Sequence, residues 1–379
     1  MPENRLQRLH DAGQSIWLDF IDRSILRNGD LARRIREDAL TGMTSNPTIF
    51  EKALAEGHAY DDQLAAAPQG LTSMELFELV ETSDVRDACD IFMPVYERTN
   101  GADGFVSIEV TPDLARDAGG TREATRRLWK EIDRPNLMIK IPGTVEGAPI
   151  VREMLAEGIN INITLLFSIE AYERVANAYL DAIEERVTNG KPVDRVASVA
   201  SFFVSRVDTL VDRLLNEKIA DAEDPRDKKA IEELRGKAAV ANAKLAYALF
   251  EELFSGPRWD ALKAAGARPQ RPLWASTGTK NPDYSDVLYV DTLIGPHTVN
   301  TMPGKTIQAF IDHGVVKRTV DSDIPQAKDV ILDLESAGVS IDAVTAQLEE
   351  EGIASFIKSF ETLLAGVEGK RASLSAAAD

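Results

Sequence analysis

The amino-acid sequence predicts an α/β protein of the (β/α)8 class, the TIM barrel, and three observations carry this prediction. Short apolar segments recur eight times along the chain, helical stretches connect them, and no Gly-x-Gly-x-x-Gly follows the first segment. Regular alternation of strands and helices implies parallel strands joined by right-handed crossovers. Eight such units close into a barrel more readily than they form an open sheet, and the missing glycine motif weakens the dinucleotide-binding alternative.

The predicted strands are apolar runs bounded by turn residues. Several are apolar on both faces, which is typical of buried parallel strands. In chain order they are 15–21, 39–43, 104–110, 137–141, 160–167, 196–204, 271–276 and 287–295.

The predicted helices occupy the intervals between strands and continue beyond the last one. The stretch 73–99 has a helical pattern with a break near Ser83-Asp84, and the stretch 205–254 has one with a polar break at 221–228. The others are 30–38, 121–132, 147–156 and 175–187, followed after 303 by a mostly helical segment and a frayed tail at 373–379.

One barrel domain, 1–379, is the economical interpretation, because the chain contains no internal repeat and no Pro/Gly/Ser-rich linker. A C-terminal helical extension, 320–370, is expected to pack on the barrel. Phe356 and Phe360 lie four positions apart on one face of a predicted helix, which suits either a lid over the barrel mouth or ordinary packing. Ordinary packing is the commoner role of such a pair.

The composition indicates which kinds of binding partner and which cellular compartment are expected. The chain has 43 basic and 62 acidic residues, a formal net charge of −19, which argues against general nucleic-acid binding and against attraction to anionic membranes. Residues 1–20 lack the apolar core of a signal peptide, and no uninterrupted apolar stretch is long enough to span a bilayer. With a single cysteine, Cys89, the chain suits a reducing compartment, so a cytoplasmic location is predicted. The four histidines are scattered, so no metal site is predicted.

Lys140 is the candidate around which a site can be built. It interrupts the apolar run Leu137-Met138-Ile139-Lys140-Ile141, which Pro142-Gly143 closes. A lysine in such a strand either extends its ammonium group to solvent from a strand end or serves as a nucleophile. The second role has a chemical basis, because partial burial lowers the pKa of an amine and so increases the neutral, nucleophilic form. The spacing alone does not decide between the two roles.

Polar side chains near the carboxyl ends of the predicted strands supply partners for this lysine. In a (β/α)8 barrel those ends form the active-site face. Each residue alone has an ordinary explanation, as a satisfied barrel carboxylate, a turn cap or a core hydroxyl. An amine together with two carboxylates is nevertheless what imine chemistry at a carbonyl requires. The residues are Asp19, Asn46, Glu109, Lys140, Asn162, Thr164, Ser201 and Ser276.

Two long motifs resemble signatures of the transaldolase family, in its larger bacterial type. Gly42–Phe50, GMTSNPTIF, is similar to the first signature, and Leu137–Thr144, LMIKIPGT, is similar to the one that holds the Schiff-base lysine. Gly158–Ser168 resembles the segment that follows, and the resemblance extends over about 10–320. It implies a circularly permuted (β/α)8 barrel of the class I aldolase superfamily, with the lysine on strand four.

The resemblance also implies a reaction and catalytic residues. The family transfers a dihydroxyacetone unit from a ketose phosphate to an aldose phosphate, without metal or organic cofactor. By resemblance, Lys140 forms the imine and Asp19 is the general base. Glu109 relays protons, through a water held by Thr164.

Substrate-binding residues follow from the same resemblance. Asn46 and Asn162 would bind substrate hydroxyls, Ser201 matches the serine of strand six, and Arg206 matches a phosphate-binding arginine. The chain departs from the better-known branch after Ser276, where a second arginine is expected and this sequence reads Ser276-Thr277-Gly278-Thr279-Lys280. Lys280 is the candidate for that second charge, although an ammonium group lacks the fork of a guanidinium.

Two alternatives remain beside a transaldolase. The first is a fructose-6-phosphate aldolase-like lyase, which releases dihydroxyacetone; such enzymes are shorter and carry a tyrosine where this chain has Phe203, whose ring has no hydroxyl. The second is a non-catalytic binding or scaffold barrel, which would not need Lys140, Asp19 and Glu109 together. Sugar phosphates are the expected partners, with no nucleic acid and no membrane, and the sequence does not distinguish a monomer from a homodimer.

Overall fold

The structure is a computed structural model that describes residues 4–55 and 58–378. Its centre is a closed barrel in which all neighbouring strands are parallel and follow one another in chain order. The strands are β1 (Gln14–Asp19), β2 (Leu40–Thr44), β3 (Val106–Glu109), β4 (Leu137–Pro142), β5 (Ile161–Leu166), β6 (Ser198–Phe203), β7 (Arg271–Ala275) and β8 (Thr298–Met302). The predicted fold class, a (β/α)8 barrel, is confirmed.

Helices surround the barrel and continue after β8, and a 3₁₀ helix, Pro112–Arg116, follows β3. The α-helices within the described ranges are α1 (Arg5–Asp11), α2 (Arg23–Arg27), α3 (Asp30–Glu37), α4 (Pro47–Ala55), α5 (Asp61–Ala66), α6 (Ser73–Arg98), α7 (Ala118–Ile132), α8 (Gly147–Glu157), α9 (Ile169–Thr188), α10 (Ser205–Asp221), α11 (Pro225–Glu232), α12 (Ala238–Leu253), α13 (Gly256–Ala264), α14 (Leu288–Asp291), α15 (Gly304–His313), α16 (Ile324–Ser336) and α17 (Ile341–Ala378). None of these helices is both long enough and apolar enough to cross a membrane.

The register of the central strands aligns the polar positions. Every residue of β4 and of β5 is buried, as expected for strands covered on both faces. Lys140 on β4 lies directly beside Glu109 on β3 and beside Asn162 on β5. Because neighbouring residues of parallel strands in register point to the same face, these three side chains enter the barrel together.

The predicted eighth strand, 287–295, is wrong. Residues 288–291 form the short helix α14, and the barrel closes instead through Thr298–Met302. The true strand was not predicted because it is not an apolar run: three of its five residues are polar. Its polar side chains bond inside the barrel: Thr298 accepts from the Gln14 amide at 3.0 Å, and Asn300 accepts from Thr277 at 2.8 Å.

Two predicted helices also differ from the structure. The break near Ser83-Asp84 is absent, and α6 is continuous from Ser73 to Arg98. The Asp84 carboxylate does not disrupt it, because Arg23 and the Tyr60 hydroxyl satisfy that group from outside the helix, at 2.8 and 2.9 Å. The stretch 205–254 is interrupted within the predicted break at 221–228, because α10 ends at Asp221 and α11 begins at Pro225. A second interruption, between α11 and α12, was not predicted and divides the stretch into three helices.

The C-terminal helices pack on the barrel. Helix α16 contacts α12, and α17 contacts α4, α5, α6 and α10. Within the described residues α17 continues to Ala378, so the frayed tail expected from 373 is wrong, and Asp379 lies outside the described part. The division into a single domain, 1–379, with an extension at 320–370 stays a prediction.

Candidate active site

One cavity opens at the carboxyl ends of the barrel strands, with a volume of about 280 Å³. Most of the residues singled out in the sequence line it: Asp19, Asn46, Lys140, Thr164, Ser201, Phe203, Arg206, Ser276 and Lys280. The other two, Glu109 and Asn162, do not line the cavity but bond to residues around it. The structure therefore brings all the predicted site residues to one end of the barrel.

Lys140 is buried at the base of the cavity, with 6% of its surface exposed. Its Nζ donates to Glu109 Oε2 at 2.8 Å and to the Ser45 carbonyl oxygen at 3.0 Å. The carbonyl is presented by the segment just after β2, where Asn46-Pro47 ends the strand. Two acceptors therefore fix the position of the amine, and one of them is ionisable.

The two carboxyl groups near Lys140 are both harder to ionise than usual. Burial raises the pKa of Glu109, and the charge and hydrogen bond of Lys140 oppose this rise only in part. Burial likewise raises the pKa of Asp19, opposed by Lys140, by the Thr44 hydrogen bond and by Lys280. A carboxyl group with a raised pKa is suited to donate a proton as well as to accept one near neutral pH.

Thr164 presents a hydroxyl that has no protein partner. Its Oγ1 is buried and makes no hydrogen bond within residues 4–55 and 58–378, although Thr164 lines the cavity. A buried hydroxyl without a partner is costly unless water or a ligand satisfies it. The cavity beside Thr164 is therefore a suitable place for a water molecule or a substrate oxygen.

The two asparagine side chains, Asn162 and Asn46, differ in how many of their hydrogen-bonding groups other residues already satisfy. Asn162 donates to Ser107 Oγ at 3.0 Å and accepts from Ser201 Oγ at 2.7 Å, so it is held inside the barrel. Asn46 accepts from the Ile49 amide at 3.1 Å and caps α4, in which Pro47 is the first residue. Its Nδ2 makes no hydrogen bond to any described residue, so it can donate into the cavity.

The opposite side of the cavity is basic. Arg206 lies in the first turn of α10, and Lys280 lies on the segment that follows β7. Ser276, with φ of 56°, turns this segment back so that its Oγ lies 3.0 Å from Ser205 Oγ at the start of α10. Arginine, lysine, a hydroxyl and the N-terminus of a helix together favour an anionic group.

Several residues that line the cavity were not predicted as site residues, and three of them bear on the chemistry or on binding. Thr44 donates to Asp19 Oδ1 at 3.0 Å and lies 2.7 Å from the Thr301 hydroxyl, so it orients the carboxyl group. Its position at the end of a strand, before Ser45-Asn46, was a usable signal, whereas Thr301 belongs to the misassigned eighth strand. Phe356 reaches the cavity from α17, and only its spacing from Phe360 hinted at this.

No cluster of three or more histidine, cysteine, aspartate or glutamate side chains suited to a metal ion occurs in the described part of the chain. The donors at the cavity are instead an amine, two carboxyl groups, amides and hydroxyls. These groups can form an imine, move protons and bind a polyol.

The chain is similar to known proteins over nearly its whole length. The family model described as transaldolase/fructose-6-phosphate aldolase matches residues 16–367. Over 361 residues the chain is 52% identical to a protein named transaldolase from Thermobifida fusca, covering 95% of this chain and 96% of that protein. Over 373 residues it is 48% identical to a protein named transaldolase from Trichodesmium erythraeum, covering 98% of each chain. Over 362 residues it is 50% identical to one of the same name from Mycolicibacterium paratuberculosis, covering 95% of each.

Proposed function

The chain belongs to the transaldolase/fructose-6-phosphate aldolase family, and from this premise we propose that it is a transaldolase acting through a Schiff base on Lys140. It transfers a dihydroxyacetone unit from sedoheptulose 7-phosphate or fructose 6-phosphate to glyceraldehyde 3-phosphate or erythrose 4-phosphate. The observation that carries the proposal is the buried pair of Lys140 and Glu109, 2.8 Å apart, at the base of a polar cavity.

Imine formation needs a neutral amine and a group that exchanges protons. Glu109 accepts a hydrogen bond from Lys140, and burial raises the pKa of this carboxyl group. It takes a proton as the amine attacks the C2 carbonyl and returns one as water leaves. The unpartnered Thr164 hydroxyl supports a water in this relay.

Carbon–carbon cleavage needs a base on the other side of the substrate. Asp19 takes the proton of the C4 hydroxyl, and the C3–C4 bond breaks with release of an aldose. The bonding electrons move into the protonated imine and form an enamine, so Lys140 supplies the electron sink. The enamine then attacks the aldehyde of the acceptor, Asp19 returns the proton, and hydrolysis of the new imine regenerates the amine.

Binding groups hold the intermediate between these two steps. Asn46, whose Nδ2 can donate into the cavity, and Ser201 bind hydroxyls of the dihydroxyacetone unit, and Asn162 orients Ser201. Arg206, Ser276 and Lys280 bind the phosphate at the N-terminus of α10. These basic groups are needed because the chain has a net charge of −19 and must still attract a dianionic sugar phosphate.

The rival activity within the family is that of a lyase, which releases dihydroxyacetone to water. Release requires that the enamine left after cleavage take up a proton at carbon, and that water hydrolyse the resulting dihydroxyacetone imine, before an acceptor arrives. Phe203 lines the cavity with an apolar ring, packed against Phe167 at a centroid distance of 5.1 Å. It cannot orient a water molecule through a hydroxyl, and this favours transfer over release.

Borohydride trapping tests the chemistry. Incubation with fructose 6-phosphate and borohydride should reduce the imine and leave a stable adduct on Lys140. Lys140→Arg should abolish both the adduct and turnover, because a guanidinium stays protonated. Lys244→Arg is the matched control, since Lys244 is also buried but bonds to Ser322 away from the cavity. An adduct that persists in Lys140→Arg would refute the assignment.

Dependence on an acceptor separates the two activities of the family. A transaldolase should consume fructose 6-phosphate rapidly only when erythrose 4-phosphate or glyceraldehyde 3-phosphate is present. Release of free dihydroxyacetone at the same rate without an acceptor would favour the lyase.

Sugar phosphates are the proposed partners of this enzyme. We further propose that it is cytoplasmic, that it binds neither nucleic acid nor membranes, and that it is a monomer or a homodimer.

A further inference from the structure

The long helix α17 reaches the cavity through Phe356. This residue is 5% exposed and lines the cavity. The guanidinium carbon of Arg206 lies 5.7 Å from the centre of the Phe356 ring and 5.4 Å from that of Phe203. The arginine at the basic side of the cavity is therefore held between two aromatic rings, one from the end of β6 and one from α17.

Gly352, one helical turn before Phe356, accounts for the close approach of α17. A β-carbon at this position would lie 3.0 Å from Leu165 Cδ2 and 3.7 Å from Arg206 Nη1. Glycine is unfavourable in a helix interior relative to alanine. The close contact with the barrel gives a physical reason for a glycine here.

Contacts that do not involve Arg206 also fix α17. The Thr48 hydroxyl donates to Ser359 Oγ at 2.9 Å, which joins α4 to α17. Phe360 meets Phe77 of α6 edge-on, with ring centroids 5.9 Å apart. Because these contacts hold α17 in place, the position of the Phe356 ring does not depend on Arg206. The ring can therefore limit the orientations of the Arg206 guanidinium.

Arg206 is restricted by these rings and not by a carboxylate. It makes no hydrogen bond and no ion pair at 4 Å or less within 4–55 and 58–378, and Glu351 acts on it only through its charge. An arginine between two rings keeps its planar group oriented by cation–π contacts. Its N–H donors remain available for a bidentate contact with an incoming oxyanion.

We propose that Phe356 is a positioning residue that orients the Arg206 guanidinium toward the phosphate of the donor sugar. Helix α17 thereby sets the preference for phosphorylated donors, a role that the barrel strands alone do not supply. This inference rests on the proposed function, in which Arg206 binds the phosphate.

The test compares two donors in the full-length protein. Phe356→Leu should raise KM for fructose 6-phosphate about five-fold, as expected for loss of one cation–π contact, with kcat nearly unchanged. KM for unphosphorylated fructose should not change, and Phe356→Tyr should restore KM because its ring also faces the cation. Val367→Ala is the matched control: it truncates a buried side chain of α17 that does not line the cavity, and it should lower stability without altering the donor preference. If Phe356→Leu does not fold, Phe356→Met provides the same comparison.

A double variant, Phe356→Leu with Arg206→Lys, tests whether Phe356 affects KM through Arg206. If Phe356 acts through Arg206, adding Phe356→Leu to Arg206→Lys should raise KM less than it does in the wild type. An unchanged donor preference in Phe356→Leu, with a reduced preference in Arg206→Lys, would overturn the inference alone. An unchanged preference in Arg206→Lys would overturn the phosphate site and the inference with it. Equal losses for both donors in Phe356→Leu would show a general structural role and also overturn the inference.

Discussion

At the scale of the residue, the two basic groups proposed to bind the phosphate differ in geometry. Arg206 is a planar fork held between the rings of Phe203 and Phe356. Lys280 carries a point charge on a long flexible chain, and its charge opposes, in small part, the rise that burial causes in the pKa of Asp19. A guanidinium can meet two phosphate oxygens at once, whereas an ammonium group cannot match this geometry.

We therefore expect unequal effects when each basic residue is removed. Charge-assisted hydrogen bonds contribute about 1.5–3 kcal/mol each, so Arg206→Ala should raise KM for fructose 6-phosphate by roughly ten-fold or more. The loss in kcat should be smaller, and Lys280→Ala should have a weaker effect. The measurement is KM for fructose 6-phosphate and for fructose with each variant. If Lys280→Ala leaves the preference for the phosphorylated donor intact, the second phosphate contact lies elsewhere.

Single residues also differ in how readily their role can be predicted from the sequence. Lys140 is recognisable because a charge inside an apolar strand is chemically anomalous. Thr44 is not, because a threonine in a strand is ordinary and only its bond to Asp19 reveals its role. Phe356 lies 150 residues beyond Arg206, and no local pattern links the two.

At the scale of the element, two carboxylates of α10 attach the segment that follows β7. Asp212 accepts from the Tyr284 hydroxyl at 2.7 Å, and Asp208 accepts from the Tyr289 hydroxyl at 2.8 Å. The same segment carries Ser276 and Lys280, and α10 carries Arg206. The two sides of the proposed phosphate site are therefore joined by tyrosine–carboxylate hydrogen bonds.

Tyr284→Phe should loosen this connection without changing the chemistry. We expect KM for fructose 6-phosphate to rise about two- to five-fold and the free energy of unfolding to fall by about 1 kcal/mol, the usual contribution of one hydrogen bond. Steady-state kinetics and urea unfolding measure the two effects. Tyr179→Phe is the control, because its hydroxyl donates to the Arg268 carbonyl before β7, at the opposite end of the barrel. A KM increase of the same size in Tyr179→Phe would contradict the positional argument.

The sequence predicted seven strands to within a few residues, and β8 shows why it failed once. Strands buried on both faces read as apolar runs, and β4 and β5 fit that pattern. In β8 the buried side chains of Thr298 and Asn300 are polar and bond inside the barrel. The apolar run 287–294 packs as a short helix and turn, so hydrophobicity located the core but not the strand.

At the scale of the whole molecule, stability should depend on pH through a buried carboxyl group that does not line the cavity, Asp208. Burial raises the pKa of Asp208 from 3.8 to about 6, opposed by bonds from the Ala239 amide and the Tyr289 hydroxyl. The folded state thus binds this proton more tightly than the unfolded state. The resulting stabilisation is complete below about pH 3.8 and is lost as pH rises through about 6.

Asp208→Asn removes this titration. The difference in unfolding free energy between the variant and the wild type should shift in favour of the variant by up to about 3 kcal/mol between pH 4 and pH 8. Urea unfolding at several pH values measures it, and any lost hydrogen bond contributes a constant offset. A difference that does not change with pH would show that Asp208 has an ordinary pKa in the folded protein.

The closure of the barrel has a consequence for the order of folding. Gln14 at the start of β1 bonds to Thr298 at the start of β8, across a separation of 284 residues. Neighbouring strands along the chain can pair as soon as the helix between them forms, but the outer edge of β1 has no partner until β8 is in place. Contacts of such long range form late and slowly. We expect β1 to present an open hydrogen-bonding edge throughout assembly, the kind of edge on which chains associate wrongly.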